Sequence, residues 1–193
     1  MTGTVQGALA ALAGFAFFSS HDALVKSLGG AISVFQIVFF SVLFGFPLVM
    51  MLLIRDRAGG NLRPRHPWLV GVRTALAVTT SFSAFYAFTT LPLSQVYAII
   101  FAQPIVITAL SVPLLGETVG LRRWIAVAVG LVGVLVVLDP STTDLTLGHL
   151  AALCAAIGGA IVSIILRKIG AEERSAVLIL YPMLANFACM GLA

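Results

Sequence analysis

Apolar residues run along this chain in seven long blocks, roughly 6–26, 31–54, 67–90, 94–115, 121–138, 148–166 and 176–193, broken only by isolated polar positions. A helix rising 1.5 Å per residue needs about 17–25 apolar residues to cross a hydrocarbon core of about 30 Å. Each block has about that length. Short polar connections separate them, among them RDRAGGNLRPRHP, LPLS, GETVGLRR and DPSTTDLTL. The pattern predicts an all-α chain, a polytopic membrane bundle of about seven spanning helices.

Composition removes the soluble alternative. Hydrophobic residues make up 60% of the chain and charged residues 9%, where a water-facing domain carries about a quarter charged. Its exterior therefore faces lipid. The opening MTGTVQ holds no Lys or Arg and no small-residue cleavage site follows, so block one reads as a retained helix rather than a signal peptide. Cys154 and Cys189 fall inside spans without partner spacing. They read as small core residues, with no disulfide, metal or cofactor site implied.

Charge placement sets an expected orientation. Arg55, Arg57, Arg63 and Arg65 follow span two, Arg122 and Arg123 follow span four, and Arg167, Lys168 and Arg174 follow span six. The intervening connections hold no basic residue, and the last of them carries Asp139 and Asp144. Basic short loops stay in the cytoplasm, so the N-terminus is expected inside, in the cell's inner (plasma) membrane. Trp68 and Trp124 start spans three and five, where an indole anchors at the interface. This topology accounts for the net charge of +4 without a nucleic-acid partner. Lys26 and Arg73 alone depart from it.

Self-comparison points to a repeat. GALAALAGFAFFSSHDALVKSLG (7–29) aligns without gaps on GHLAALCAAIGGAIVSIILRKIG (148–170), at an offset of 141 (148 minus 7). Gly7, Leu9, Ala10, Ala11, Leu12 and Gly29 fall on identical residues, and Lys26 falls on Arg167. Span six comes five spans after span one and so runs opposite to it, an inverted-topology repeat of the kind found in secondary transporters. Residues 1–140 are then a first five-helix unit, and 147–193 the first two helices of a second. A complete pair of units would need about 280–290 residues. The chain is expected to be a truncated form, with a genuine seven-helix protein as the alternative.

The stretch FSAFYAFTTLPLSQVYAIIFAQPIVITALSVPLLGETVGLRRWIAVAVGLVGVLVVLDP, residues 82–140, resembles helices three to five of an EamA-type member of the drug/metabolite transporter superfamily. The shared features are the short hairpin over LP, Pro104 within span four, the Leu115-Gly116-Glu117 turn, Arg123-Trp124, and the glycine-spaced GLVGVLVV of span five. The resemblance implies ten helices in two five-helix repeats, cytoplasmic termini and a central cavity opened alternately to each side. It also implies small metabolites as substrates, amino acids, nucleobases and riboflavin among them. This chain departs from the pattern by lacking helices eight to ten.

A carrier of this kind needs polar groups at membrane depth, where an ionisable side chain costs about 2.5–3.5 kcal/mol unless water or a partner meets it. In SSHDALVK (19–26), His21 lies roughly 22 Å above Gln6 along helix one, in its outer third. Asp22 and Lys26 are one turn apart and can pair. His21, Asp22 and Lys26 are either an end-of-helix charge balance, with Lys26 snorkelling outward, or a polar, proton-coupling group at the outer mouth. On span three, Thr79, Ser83, Tyr86 and Thr90 form one polar stripe, either back-bonded to their own helix or facing a cavity. Span four adds Ser94, Tyr97 and Gln103, then Pro104, which removes a backbone hydrogen bond and supplies a helix hinge. The expected substrate contacts are Tyr97, Gln103, Tyr86, Ser83, Thr79 and Gln36. Arg73 is expected to snorkel to the cytoplasmic interface rather than bind an anion, and Glu117 to cap or pair with Arg122 and Arg123. Gly130, Gly133 and the small-residue runs Ala151/Ala155/Gly159 and Ala152/Ala156/Ala160 suit close helix packing and a homodimer.

Two other classes of protein compete with this reading. Ser20, His21 and Asp22 contain the letters of a hydrolytic triad, but neighbours on a helix point about 100° apart and do not line up nucleophile, base and orienter. A channel or a non-transporting structural protein remains the other alternative.

Overall fold

The computed structural model describes residues 2–29, 31–55, 62–116, 118–138 and 144–192. Among these there are eight helices and no strand: α1 (Thr2–Leu28), α2 (Val34–Arg55), α3 (Pro67–Thr90), α4 (Leu93–Ile100), α5 (Gln103–Leu115), α6 (Leu121–Leu138), α7 (Leu147–Ile169) and α8 (Ser175–Gly191). The seven expected spans are recovered with small shifts at their ends. Six stretches are long and apolar enough to cross a membrane, with α4 and α5 together forming one of them. The last block is shorter than expected, 17 residues as α8.

The interruption between α4 and α5 has a local cause. Pro104 offers no N–H to the carbonyl of Ile100. The chain answers with short-range bonds: Ala102 N–H donates to Ile99 O at 3.0 Å and Ile105 N–H to Ala102 O at 2.9 Å. The break thus falls at Phe101 and Ala102, just ahead of the proline. Downstream, α5 ends on Gly116, whose left-handed φ of 67° suits a residue without Cβ.

A proline also ends α3. Leu91 precedes Pro92, is pushed to extended backbone (φ −107°, ψ 158°), and closes the helix there. Pro92 then opens α4, so α3 and α4 meet at a tight corner.

α3 and α7 are the centre of the bundle. They pack against each other, and α2, α4, α5 and α8 pack around them. The small residues of α7 make this close approach possible: Ala152, Ala155, Ala156, Gly158 and Ala160 are buried. Gly158 lies against the Thr80 hydroxyl of α3, and Gly159 against the Gln103 amide of α5. One apolar cluster gathers at the α3–α4 corner around Phe88, Leu91, Val96 and Ile99 with Val25, Ile37, Ala152 and Ala156. A second, Val70, Ile165, Ile169, Val177 and Leu178, sits where the start of α3 meets the α7–α8 connection.

The margins differ sharply. No residue of α6 is buried, and α1 is exposed over most of its length, with Leu12 at 67%, Phe15 at 69% and Phe17 at 78%. Such apolar exteriors fit lipid as solvent. Cys154 and Cys189 are exposed on this outer surface, so the expectation that they are core residues is corrected. Each lies on a helix face turned away from the packed side.

Candidate functional site

The polar residues of α1 are brought together with α4, though not in the predicted pairing. Tyr97 Oη donates to Asp22 Oδ2 at 2.8 Å, and His21 Nδ1 lies 3.1 Å from Asp22 Oδ1. Lys26 does not pair with Asp22. Its Nζ donates to Leu91 O at 2.7 Å and to Thr89 O at 3.4 Å, both on the α3–α4 corner. The reason is topological. Where the chain leaves the helix at Leu91–Pro92, Gln95 and Val96 bond back to Pro92 O, and the carbonyl of Leu91 is left for another donor.

His21 and Asp22, though adjacent, do meet, because both side chains swing toward the same gap. Ser20 does not join them: its hydroxyl back-bonds to Ala16 O at 2.9 Å. Aromatic rings flank the group, and the His21 side chain stays 43% exposed. His21 meets Phe85 edge-on at 5.7 Å, Tyr97 meets Phe88 edge-on at 5.9 Å, and Phe101 stacks on Tyr97 at 5.6 Å. The Asp22 side chain is 13% exposed. A carboxylate, a phenol and an imidazole therefore share one site beside phenyl rings.

Gln103 stands apart from this group, on the α5–α7 contact. Its Nε2 reaches Ser163 Oγ at a long 3.5 Å, while Ser163 Oγ itself bonds Gly159 O at 2.8 Å. Thr80 Oγ1, nearby on Gly158, is buried without a partner. Thr80 and Ser163 were missed in the sequence. The signal that could have found them is the Gly158-Gly159 pair, two side-chain-free positions facing two different helices.

The α3 stripe is mostly inward-bonded. Thr79 back-bonds to Ala75 O (3.0 Å) and Thr90 to Tyr86 O (2.8 Å); Ser83 is buried, and Tyr86 stacks on Phe82 at 6.3 Å. Gln36 forms a capping box with Ser33 at the start of α2: Ser33 N–H donates to Gln36 Oε1 (3.1 Å) and Gln36 N–H to Ser33 Oγ (3.3 Å). It also lines a cavity of about 350 Å³ with Phe35, Phe39, Phe40 and Met190.

The remaining charged residues serve helix ends. Arg73 Nη1 donates to Leu178 O on α8 at 2.7 Å. The start of α3 is capped from outside, with His66 N–H donating to the buried Glu173 and His66 Nε2 lying 2.7 Å from Glu172 Oε2. Glu117 and Asp139 lie outside the described residues.

Among the described residues, six stretches of membrane-crossing length and hydropathy mark a multi-pass membrane protein. The model of the EamA-like transporter family matches residues 5–139, and the chain belongs to that family. It is 28% identical over 163 residues to the S-adenosylmethionine uptake transporter of Rickettsia prowazekii (strain Madrid E), covering 84% of this chain and 55% of that one. The transporter of the same description from Rickettsia felis is 27% identical over the same shares. The riboflavin transporter of Vibrio cholerae is 29% identical over 93 residues, 48% of this chain and 31% of that one. The chain spans about half the length of the S-adenosylmethionine transporters it matches. No solved structure matches it.

Proposed function

We propose that this chain is the transporting part of a secondary carrier that moves a small organic metabolite across the inner membrane by alternating access. The observation that carries the reading is the Tyr97–Asp22 bond, which joins α1 to α4 inside the membrane with Phe88 and Phe101 against the phenol. An intramembrane carboxylate needs a partner, and a partner on another helix can be exchanged for a substrate group or a proton. Tyr97, Asp22 and His21 form one polar contact for the solute, and Gln103, at the start of α5 beyond the break, forms a second and separate one. Tyr86, Ser83, Thr79 and Gln36 serve the walls around them. The N-terminus is cytoplasmic, as the basic loops argue, and residues 1–140 and 147–193 belong to successive repeats, a division supported by the family match ending at 139.

The relatives named for S-adenosylmethionine and riboflavin transport suggest a solute with a flat heterocycle and a polar tail. Such a solute suits a site of aromatic rings beside hydrogen-bonding groups. The test is uptake of radiolabelled S-adenosylmethionine and of riboflavin into proteoliposomes holding the full chain. Saturable flux, reduced about tenfold in Tyr97→Phe by loss of one hydrogen bond to a charged group, is expected. Flux that never exceeds that of protein-free vesicles for either solute refutes the reading.

A further inference from the structure

We infer that the end of α1 carrying residues 21–29 is a clasp on the α3–α4 corner, and that Lys26 is the residue that holds it shut. The inference rests on the transport reading only for its purpose; the clasp itself stands on contacts. α1 is exposed from residue 12 to residue 20, Gly14 alone being half-buried. Among the described residues of α1 the one that is buried is Val25. Every contact of an α1 side chain with another helix described above falls within a turn or two of that residue: His21 on Phe85, Asp22 on Tyr97, Lys26 on Leu91 and Thr89. Gly29 closes the row, packed so tightly on Thr89 that a Cβ there would lie 2.7 Å from the threonine Cβ.

The contacts are of two kinds. Val25 joins the apolar cluster of Phe88, Leu91 and Val96, which holds α1 near the corner without fixing its angle. The polar pair fixes the angle. Tyr97 to Asp22 anchors one turn to α4, and Lys26 anchors the next to two carbonyls of the corner. These two polar bonds can be exchanged for water or substrate when the cavity opens on that side. Lys26 is therefore a positioning residue: it sets the corner so that Tyr97 faces Asp22, and its release frees both.

The test uses the full chain with Cys154→Ser and Cys189→Ser, which clears the two native thiols. A single thiol is placed at the corner by Thr89→Cys, and its rate of labelling by a membrane-impermeant maleimide is measured in proteoliposomes. Lys26→Ala is expected to raise that rate about tenfold, the effect of losing one charged hydrogen bond, while Lys26→Arg, which keeps the donor, leaves it near the parent value. Equal rates in parent and Lys26→Ala overturn the clasp, whatever the transport result. A second arm locks it. Gly29→Cys with Thr89→Cys starts about 1 Å short of the usual Cβ separation of about 3.8 Å in a disulfide, so a small opening lets the bridge form. Oxidation is expected to stop uptake and dithiothreitol to restore it; uptake that continues with the bridge formed also overturns the clasp. Absence of uptake in the parent protein refutes the transport reading, and the labelling arm still decides the clasp.

Discussion

Arg73 lies inside an apolar helix, and its replacement tests whether the bond it makes is a consequence of a proline elsewhere. In α8 the carbonyl of Leu178 would accept from the N–H of residue 182, but that residue is Pro182, so the acceptor is free. Arg73 Nη1 meets it at 2.7 Å. Interhelical hydrogen bonds in membranes average about 0.6 kcal/mol and reach about 1.7 kcal/mol. A charged donor on an acceptor that would otherwise be left unmet belongs at the upper end of that range. Arg73→Met, which keeps most of the stem's packing, is expected to destabilise the folded protein by about 1.5 kcal/mol. The same change in a Pro182→Ala background, where residue 182 again supplies an N–H, is expected to cost about 0.5 kcal/mol or less. The coupling of about 1 kcal/mol is read from a double-mutant cycle in detergent micelles, with unfolding followed by far-ultraviolet circular dichroism against added sodium dodecyl sulfate. Equal losses in the two backgrounds refute the argument, because Arg73 would then be stabilising α8 by some route other than the freed carbonyl.

Two further outcomes follow from contacts elsewhere. Gly159→Leu drives a branched side chain into the Gln103 amide, which already lies about 3.1 Å from an added Cβ, and is expected to cost about 1–3 kcal/mol as overpacking, seen as a lowered melting temperature in detergent; an unchanged melting temperature refutes the close α5–α7 packing. Glu173→Ala removes the buried acceptor of the His66 N–H at the start of α3 and is expected to cost about 1 kcal/mol, while Glu173→Gln, which keeps an acceptor oxygen, costs less; equal losses would show that the cap is not the reason for the burial.

The helices were legible because their signal is long and local. Twenty apolar residues between basic loops leave few other structures, and Pro92 and Pro104 mark where the corner and the break fall. The pairing of polar side chains was not legible, because it depends on which helix lies opposite. Asp22 and Lys26 are one turn apart and read as an ion pair, yet each finds a partner on another helix instead, Tyr97 and Leu91, which lie 75 and 65 positions away. Gln36 reads as a substrate contact on its polarity, and Ser33 three residues earlier adds the signature of a capping box. The cysteines read as core residues by type. Only the packing of α7 on α3 decides that Cys154 faces outward while Ala152, Ala155 and Ala156 face inward.

Lys26 and Arg73 were the two basic residues that did not fit the alternation of charged loops, and the fold gives them a common explanation. Each meets a backbone carbonyl that its own helix leaves unbonded: Leu91 O, where the chain turns out of α3 ahead of Pro92, for Lys26, and Leu178 O, whose helical donor position is taken by Pro182, for Arg73. A backbone acceptor without its helical donor needs another donor, and a half-buried cation among apolar helices needs a partner. Combining the two costs lets the chain carry both. The consequence differs at the two places. Arg73 ties α8 to α3 beside the apolar cluster of Val70, Ile169 and Val177, where the surrounding packing fixes the contact. Lys26 ties α1, a helix with little other packing, to a corner that also carries the Tyr97–Asp22 bond. The same chemistry is thus a rivet in one place and a releasable hold in the other, and it is the amount of apolar contact around each bond that separates them.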